Sequence, residues 1–268
     1  MIQNKAELER KVNYSKTHQV HGKTFDDLIE NLELYSGARI LDFMGGYGEV
    51  TNRILDYCAT KGIVVYPTLS DISLAQVKKG RPDIQKVVAD ARESCFAPKS
   101  FDRIVIKMGL HEVCENDQEK IIKNAYNILG NKSSLLIWDF MPETEEERGV
   151  YADIFKKKDA LSGFKRMVLE RCWTRESRIQ RYLADAGFAQ INSIHKSPFR
   201  AKTSHWLAND LASGVDENEA KNRLQIWNDY IRMNIPSHLK EKWSYKDNGD
   251  FIELEFPNMV NIIKAVKN

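Results

Sequence analysis

The stretch Arg39-Ile-Leu-Asp-Phe-Met-Gly-Gly-Tyr-Gly-Glu-Val-Thr51 sets an apolar run, a glycine turn and the start of an amphipathic segment in immediate succession. Ile40, Leu41 and Phe43 predict a buried strand. Gly45, Gly46 and Gly48 let the backbone turn sharply and approach a ligand that any Cβ would exclude. Val50, Ile54, Leu55 and Cys58 then share one face of a helix whose N-terminus points into the turn. Asp42 stands just ahead of the glycines, where a carboxylate repels a pyrophosphate and attracts a cationic ligand. Glycines this dense also suit an ordinary tight turn, so the assignment depends on the segments downstream of Thr51.

Those downstream segments alternate strand and helix. Gly62-Ile-Val-Val-Tyr66 predicts a second strand leading to Asp71-Ile-Ser73, an acidic group where a βαβ unit sets a carboxylate against ribose hydroxyls. Asp71 equally suits a helix N-cap. Val87 to Ala89 predicts a third strand ending in Asp90-Ala91, and Phe101 to Ile106 a fourth that runs into Lys107-Met-Gly-Leu-His-Glu-Val113. Asn116 and Glu119 have capping-box spacing; Ile121, Ile122, Ala125, Ile128 and Leu129 supply the buried face, and Gly130 is expected to end that helix. Leu135 to Asp139 is the fifth strand. The alternation predicts an α/β chain with a doubly wound, mostly parallel sheet.

With these four ordered motifs, roughly residues 25 to 140 resemble the class I S-adenosylmethionine-dependent methyltransferases. The resemblance implies a Rossmann-like fold of seven strands, and S-adenosylmethionine as cofactor. It implies that Asp42 and the Gly46/Gly48 turn lie beside the methionine moiety, that Asp71 with Ile72 takes the ribose hydroxyls, and that Asp90 with Ala91 contacts the adenine. Lys107 and Met108 belong to the same cofactor set. The family's glycine motif reads Asp-x-Gly-x-Gly-x-Gly; here Met44 takes the first glycine's place and Gly45 comes after it, so Gly46 and Gly48 match more closely than Gly45. Phe101-Asp102 with Leu110-His111-Glu112-Val113 resembles the Phe-Asp and Leu-His-His-Val run of small-molecule methyltransferases. Glu112 replaces the second histidine.

Composition agrees with one globular enzyme domain. The chain has 268 residues, 42% of them hydrophobic, and a formal net charge of +2 with acids and bases interspersed, which is not the electrostatic footprint of a nonspecific nucleic-acid binder. Cys58, Cys95, Cys114 and Cys172 lack metal-type pairs or a disulfide framework and read as reduced core thiols. The first ten residues lack the apolar core of a signal peptide, and no apolar run is long enough to span a bilayer, so a cytoplasmic protein is expected. Homo-oligomerisation is left open.

Residues 1–36 read as a polar N-terminal helical lid in which Phe25, Leu28, Ile29, Leu32 and Leu34 form an apolar face. Tyr14, His18 and His21 face the active site or simply pack. Residues 37–140 form the cofactor-binding core. Residues 141–268 supply substrate-side helices, an insertion and the closing strands. Glu143-Thr-Glu-Glu-Glu-Arg148 reads as a solvated connection. A helix is expected over Arg178 to Gly187 and a sixth strand over Ala189 to His195. The last strand fits Ala201 to Leu207 or Asn258 to Val266. The second is favoured, which makes residues 198–255 a helical insertion whose main helix is capped by Asp216 and Glu219. Trp206, Trp227 and Trp243 belong to core or to a substrate wall.

The chemistry demands little of the protein beyond placement. A sulfonium methyl is already activated, so transfer needs the nucleophile held in line and water excluded. A hydroxyl or carbon acid also needs a base. His111, at the carboxyl end of the fourth strand where open α/β sheets place ligands, is the candidate catalytic residue. Glu112 and Asp139 are alternatives, and Asp139 also suits an orienting role. Lys107-Met-Gly-Leu110 excludes the Asn/Asp-Pro-Pro motif of amino-nitrogen methylation, and the Pro-Cys nucleophile for cytosine C5 is missing. The plan looks most like ubiquinone/menaquinone-type and natural-product enzymes, with a small-molecule acceptor. Two other readings stand beside it: a protein of this fold that binds the sulfonium compound without methylating, and a nicotinamide-dependent oxidoreductase, whose fingerprint fails at Thr51.

Overall fold

The computed structural model describes residues 22–93 and 95–268. Tyr14, His18, His21 and most of the expected lid lie outside the described residues. The first described helix, α1 (Gly22–Asn31), buries Phe25, Leu28 and Ile29 against the sheet. β1 (Arg39–Phe43) leads through the glycines into α2 (Glu49–Lys61), which buries Val50, Thr51, Ile54 and Cys58. Gly62, left-handed at φ 66°, ends α2 by donating its N–H to the Cys58 carbonyl.

That stop corrects the second strand. β2 spans Tyr66–Asp71, because the residues after Gly62 descend from helix to sheet, with Val64 61% exposed and pairing to β1 starting only at Tyr66 opposite Arg39. Ser73, not Asp71, caps the short α3 (Leu74–Val77) by accepting from the Gln76 N–H. β3 spans Gln85–Val88 and β4 Phe101–Lys107, followed by a 3-10 turn at Leu110–Glu112. α4 (Glu115–Ile128) starts after Cys114 without a side-chain cap, so the Asn116/Glu119 box does not form; Glu115 and Asp117 face the helix dipole from its first turn instead. Leu129 turns straight into β5 (Leu129–Phe140), which places Gly130 inside a strand rather than at a helix stop.

Beyond β5 the acidic stretch is structural. Thr144 and Glu147 form a complete capping box at the start of α5 (Glu145–Leu161), and Glu147, 4% exposed, pairs with Lys242 at 2.8 Å. α6 (Lys165–Glu170), α7 (Glu176–Ala186, closed by Gly187 at φ 107°) and β6 (Gln190–Lys202) come next. Then come α8 (Thr203–Ala212), α9 (Glu217–Asn234, capped by Asp216), α10 (Ser237–Lys242), the two-residue β7 (Lys246–Asp247) and β8 (Ile252–Lys267). The closing strand is the second candidate. The insertion is shorter than 198–255, because β6 and β8 stay paired out to Lys202 opposite Glu253.

The eight-stranded sheet of the described residues runs β3-β2-β1-β4-β5-β8-β6, with β7 paired to β8. It is parallel from β3 to β5 and antiparallel where β8 enters between β5 and β6. Both faces are covered, and the period of two sorts the side chains between them: Val105, Leu136 and Trp138 pack under α1 and the insertion, whereas Ile104, Ile106, Leu135 and Ile137 pack under α4 and α7. Trp206, Trp227 and Trp243 all join the first core, tying the insertion to α5 through bonds such as Trp227 Nε1 to the Ile154 carbonyl at 3.0 Å. The cysteines are free as expected, but only Cys58 is buried and Cys95 is exposed.

Candidate active site

The carboxyl ends of β1, β2, β4 and β5 open onto one cavity of about 310 Å³. Asp42 ends up 1% exposed at its edge. One carboxylate oxygen accepts the Thr51 N–H at 3.1 Å and hydroxyl at 2.8 Å, while Oδ1 is buried without a hydrogen bond. Burial pushes the carboxyl up to about 7 against those bonds and the nearby Lys107 charge.

The glycines divide their work differently from the sequence pattern. Gly45 has the tightest position: a Cβ there would fall 2.5 Å from the Asp42 carboxylate and 2.7 Å from Leu69. Gly46, at φ 58°, turns its N–H onto Asp71 Oδ2 at 2.9 Å. Gly48 caps α2 in a left-handed conformation and stands behind the cavity lining. Met44 itself adopts φ 62°, and its side chain occupies the space that a Cβ on Gly109 would need, 2.9 Å away. The departure at Met44 is therefore matched by a glycine across the cleft.

Asp71 closes the loop from the other side, its Oδ1 accepting the Ser73 N–H at 2.8 Å, and Ile72 lines the wall next to it. Asp90 and Ala91 lie further along the same wall. Burial raises the Asp90 carboxyl, but the hydrogen bonds and charge of Arg92, 2.6 Å away, outweigh it and hold the group below its ordinary value. Lys107 is paired with Glu49 at 2.9 Å and lies over the rings of Phe25 and Trp138; Met108 stands beside it on the wall.

His111 is 8% exposed and lines the same cavity. Its Nδ1 lies 2.6 Å from Asp139 Oδ1, and its backbone N–H reaches the other oxygen at 3.3 Å. A carboxylate accepts from Nδ1, so in the neutral imidazole this contact favours the tautomer whose Nε2 is the acceptor. The Trp173 ring lies nearly parallel, at 11° and 6.2 Å, and Phe140 meets the imidazole edge-on at 5.3 Å.

Past His111 the wall turns aromatic and basic. Tyr151, Phe155, Trp173 and Phe199 line it with Lys158 and Arg171. Trp173 escapes the sequence pattern because it sits in the loop between α6 and α7, where no periodicity marks a facing residue. Tyr151, Phe155 and Lys158 do carry a signal, the spacing of one face of α5.

The mostly parallel sheet covered on both faces, with its cavity at the carboxyl ends of the strands, is the Rossmann-like fold of the methyltransferase structures it resembles. Residues 40–132 match the family model described as methyltransferase domain. The ubiquinone/menaquinone biosynthesis C-methyltransferase of Photorhabdus laumondii is 28% identical over 159 residues, 56% of this chain and 59% of that protein. The chain spans about half to three-fifths of the length of the curated relatives it matches. Among solved structures, the YcgJ protein from Bacillus subtilis superposes with a TM-score of 0.71 at 13% identity, covering 92% of this chain and all of that one. A Haemonchus contortus phosphoethanolamine N-methyltransferase, in complex with phosphomonomethylethanolamine and S-adenosylhomocysteine, gives 0.54 at 15% identity over 92% of this chain and 52% of its own. No helix among the described residues is long and apolar enough to cross a membrane.

Proposed function

We propose that this chain transfers a methyl group from S-adenosylmethionine to a small molecule held in the aromatic half of the cavity, with His111 receiving the acceptor's proton. The observation that carries this reading is the continuity of the cavity, which runs from Asp42 and Asp71 past His111 to Trp173 without a dividing wall. The residues fit the donor: Asp42 keeps a buried oxygen without a partner, and Gly45 runs too close to that carboxylate for any Cβ. When bound, the donor supplies an electrophilic methyl on a cationic sulfonium.

The chain's own residues do the rest. Asp42, Gly45, Gly46 and Met108 hold the methionine portion, with Gly48 setting the direction of α2; Asp71 and Ile72 hold the ribose; Asp90 and Ala91 border the adenine. Lys107 acts through Glu49, fixing that carboxylate at the cavity wall. Asp139 keeps His111 in the tautomer whose Nε2 accepts a proton, and the rings around it exclude water. The near-neutral charge of the chain favours a small molecule over nucleic acid, and its free cysteines suit a reducing, cytoplasmic setting.

Calorimetry with S-adenosylmethionine and S-adenosylhomocysteine, with NADH and NADPH as controls, tests it. Binding of the two sulfur ligands alone is expected; preference for a nicotinamide cofactor would overturn the assignment.

A further inference from the structure

The cavity is polarised along its length. The glycine-loop end carries Asp42, Glu49, Asp71 and Asp90, with Lys107 and Arg92 bound to two of them. The far end carries Lys158 and Arg171, which converge on one carboxylate: Arg171 Nη1 bonds Asp159 at 2.7 Å, and Lys158 reaches the other oxygen at 3.2 Å, an ion pair not aligned as a hydrogen bond. Glu112 is a third, looser neighbour, 3.8 Å from Arg171. Asp159 is fully buried and Arg171 is 8% exposed, so these charges, with Asp139 and Asp210 also in electrostatic reach, interact where water screens them poorly, and the two cationic side chains line the cavity while Asp159 does not.

Tyr151 adds an uncharged donor to the same wall. Tyr151 is 1% exposed, set edge-on against Trp173 at 5.2 Å and Phe256 at 4.9 Å, and its hydroxyl makes no hydrogen bond among the described residues. Tyr151 lines the cavity, so its hydroxyl is open to a ligand there. Burial raises the phenol far above its ordinary value, which keeps it a donor. Arg171 lies over the Trp173 ring and Lys158 over that of Phe155, so the donors stand at the rim of an aromatic slot.

We infer that the acceptor is a planar, mostly apolar molecule bearing a carboxylate, with its ring system between Phe155, Trp173 and Phe199 and its carboxylate received by the Tyr151 hydroxyl beside Lys158 and Arg171. This rests on the reading of the cavity as a methyl-transfer site and deepens it. Amine acceptors, which arrive as cations, are disfavoured by the same charges. Tyr151 and Lys158 are then specificity-determining residues, seven apart on one face of α5.

The test is calorimetric titration of 2-naphthoate, 2-naphthamide and 2-naphthylmethylammonium into the full chain, with and without saturating S-adenosylhomocysteine. Naphthoate is expected to bind on the order of tenfold tighter than the amide, the gain of a charge-assisted over a neutral hydrogen bond. The ammonium compound is expected to bind weakest. Tyr151→Phe and Lys158→Met should each weaken naphthoate several-fold while leaving S-adenosylhomocysteine affinity unchanged, which shows that the variants are folded. Arg171 is left intact because its loss would strand Asp159. Equal binding of the three probes, preference for the ammonium compound, no binding of naphthoate, or discrimination undiminished in both variants would overturn the inference. Discrimination without S-adenosylhomocysteine binding would instead overturn the methyl-transfer reading and with it the acceptor role, leaving a carboxylate-binding slot.

Discussion

His111 Nδ1 lies 2.6 Å from Asp139 Oδ1, a contact between the turn after β4 and the end of β5 that spans 28 positions of chain. The pair fixes which ring nitrogen faces the cavity, which is what a proton acceptor at this position requires. His111→Ala should lower turnover about 10²- to 10⁴-fold, the usual worth of a positioned base, with S-adenosylhomocysteine affinity nearly unchanged. Asp139→Asn keeps the shape but permits the other tautomer, and turnover should fall less. The check is single-turnover methyl transfer beside ligand titration; wild-type rates in His111→Ala would remove the base assignment.

Asp71 accepts N–H groups from both Gly46 and Ser73, at 2.9 and 2.8 Å, so its carboxylate joins the glycine loop to the end of β2. Asp71→Ala should weaken S-adenosylmethionine binding by about 1–3 kcal/mol, through lost ribose contacts and a loosened loop. Equal affinity in variant and wild type, measured by calorimetry, would contradict the ribose assignment.

Gly45 and Gly46 offer a steric contrast. A Cβ at Gly45 meets the Asp42 carboxylate at 2.5 Å, whereas one at Gly46 meets nothing within 4 Å and suffers only the left-handed backbone. Gly45→Ala should destabilise the protein by about 1–3 kcal/mol and displace Asp42. Gly46→Ala should cost about 1–2 kcal/mol from backbone strain alone. Paired thermal melts check the first, and donor titration shows whether binding is lost more at Gly45.

Asp42 predicts a pH dependence of unusual sign. Burial lifts its carboxyl from the ordinary value of about 3.9 up to about 7, so between these limits the folded state holds a proton that the unfolded chain has released. The stability this group contributes is present below pH about 4 and is lost as pH rises towards 7, by up to about 1.4 kcal/mol per unit. Asp42→Asn should abolish that component of the melting profile. A cationic ligand beside Asp42 should also expel the proton near neutrality, making the binding enthalpy depend on the buffer. A buffer-independent enthalpy would show that Asp42 stays charged throughout.

Local pattern in the chain suffices for the order of the elements and for the ligand end of the sheet. Strand and helix periodicities are local, and Asp42, the glycines, Asp71, Asp90 and His111 each stand at the junction of an element with the loop after it. The errors of that pattern are local as well. Val64 reads as strand because it is apolar, yet it is exposed where the chain descends from Gly62, and Glu143 to Arg148 reads as solvated because it is acidic, yet Glu147 is buried in a capping box. Apart from the α5 face that carries Tyr151, Phe155 and Lys158, the far half of the cavity comes from tertiary packing. Tyr151 from α5, Arg171 and Trp173 from the loop after α6, and Phe199 from β6 meet because β8 inserts antiparallel between β5 and β6 while α5 folds over the opening. The burial that leaves Asp42 Oδ1 without a partner and the contact that orients His111 are likewise products of packing between distant segments, for which a linear pattern carries no signal.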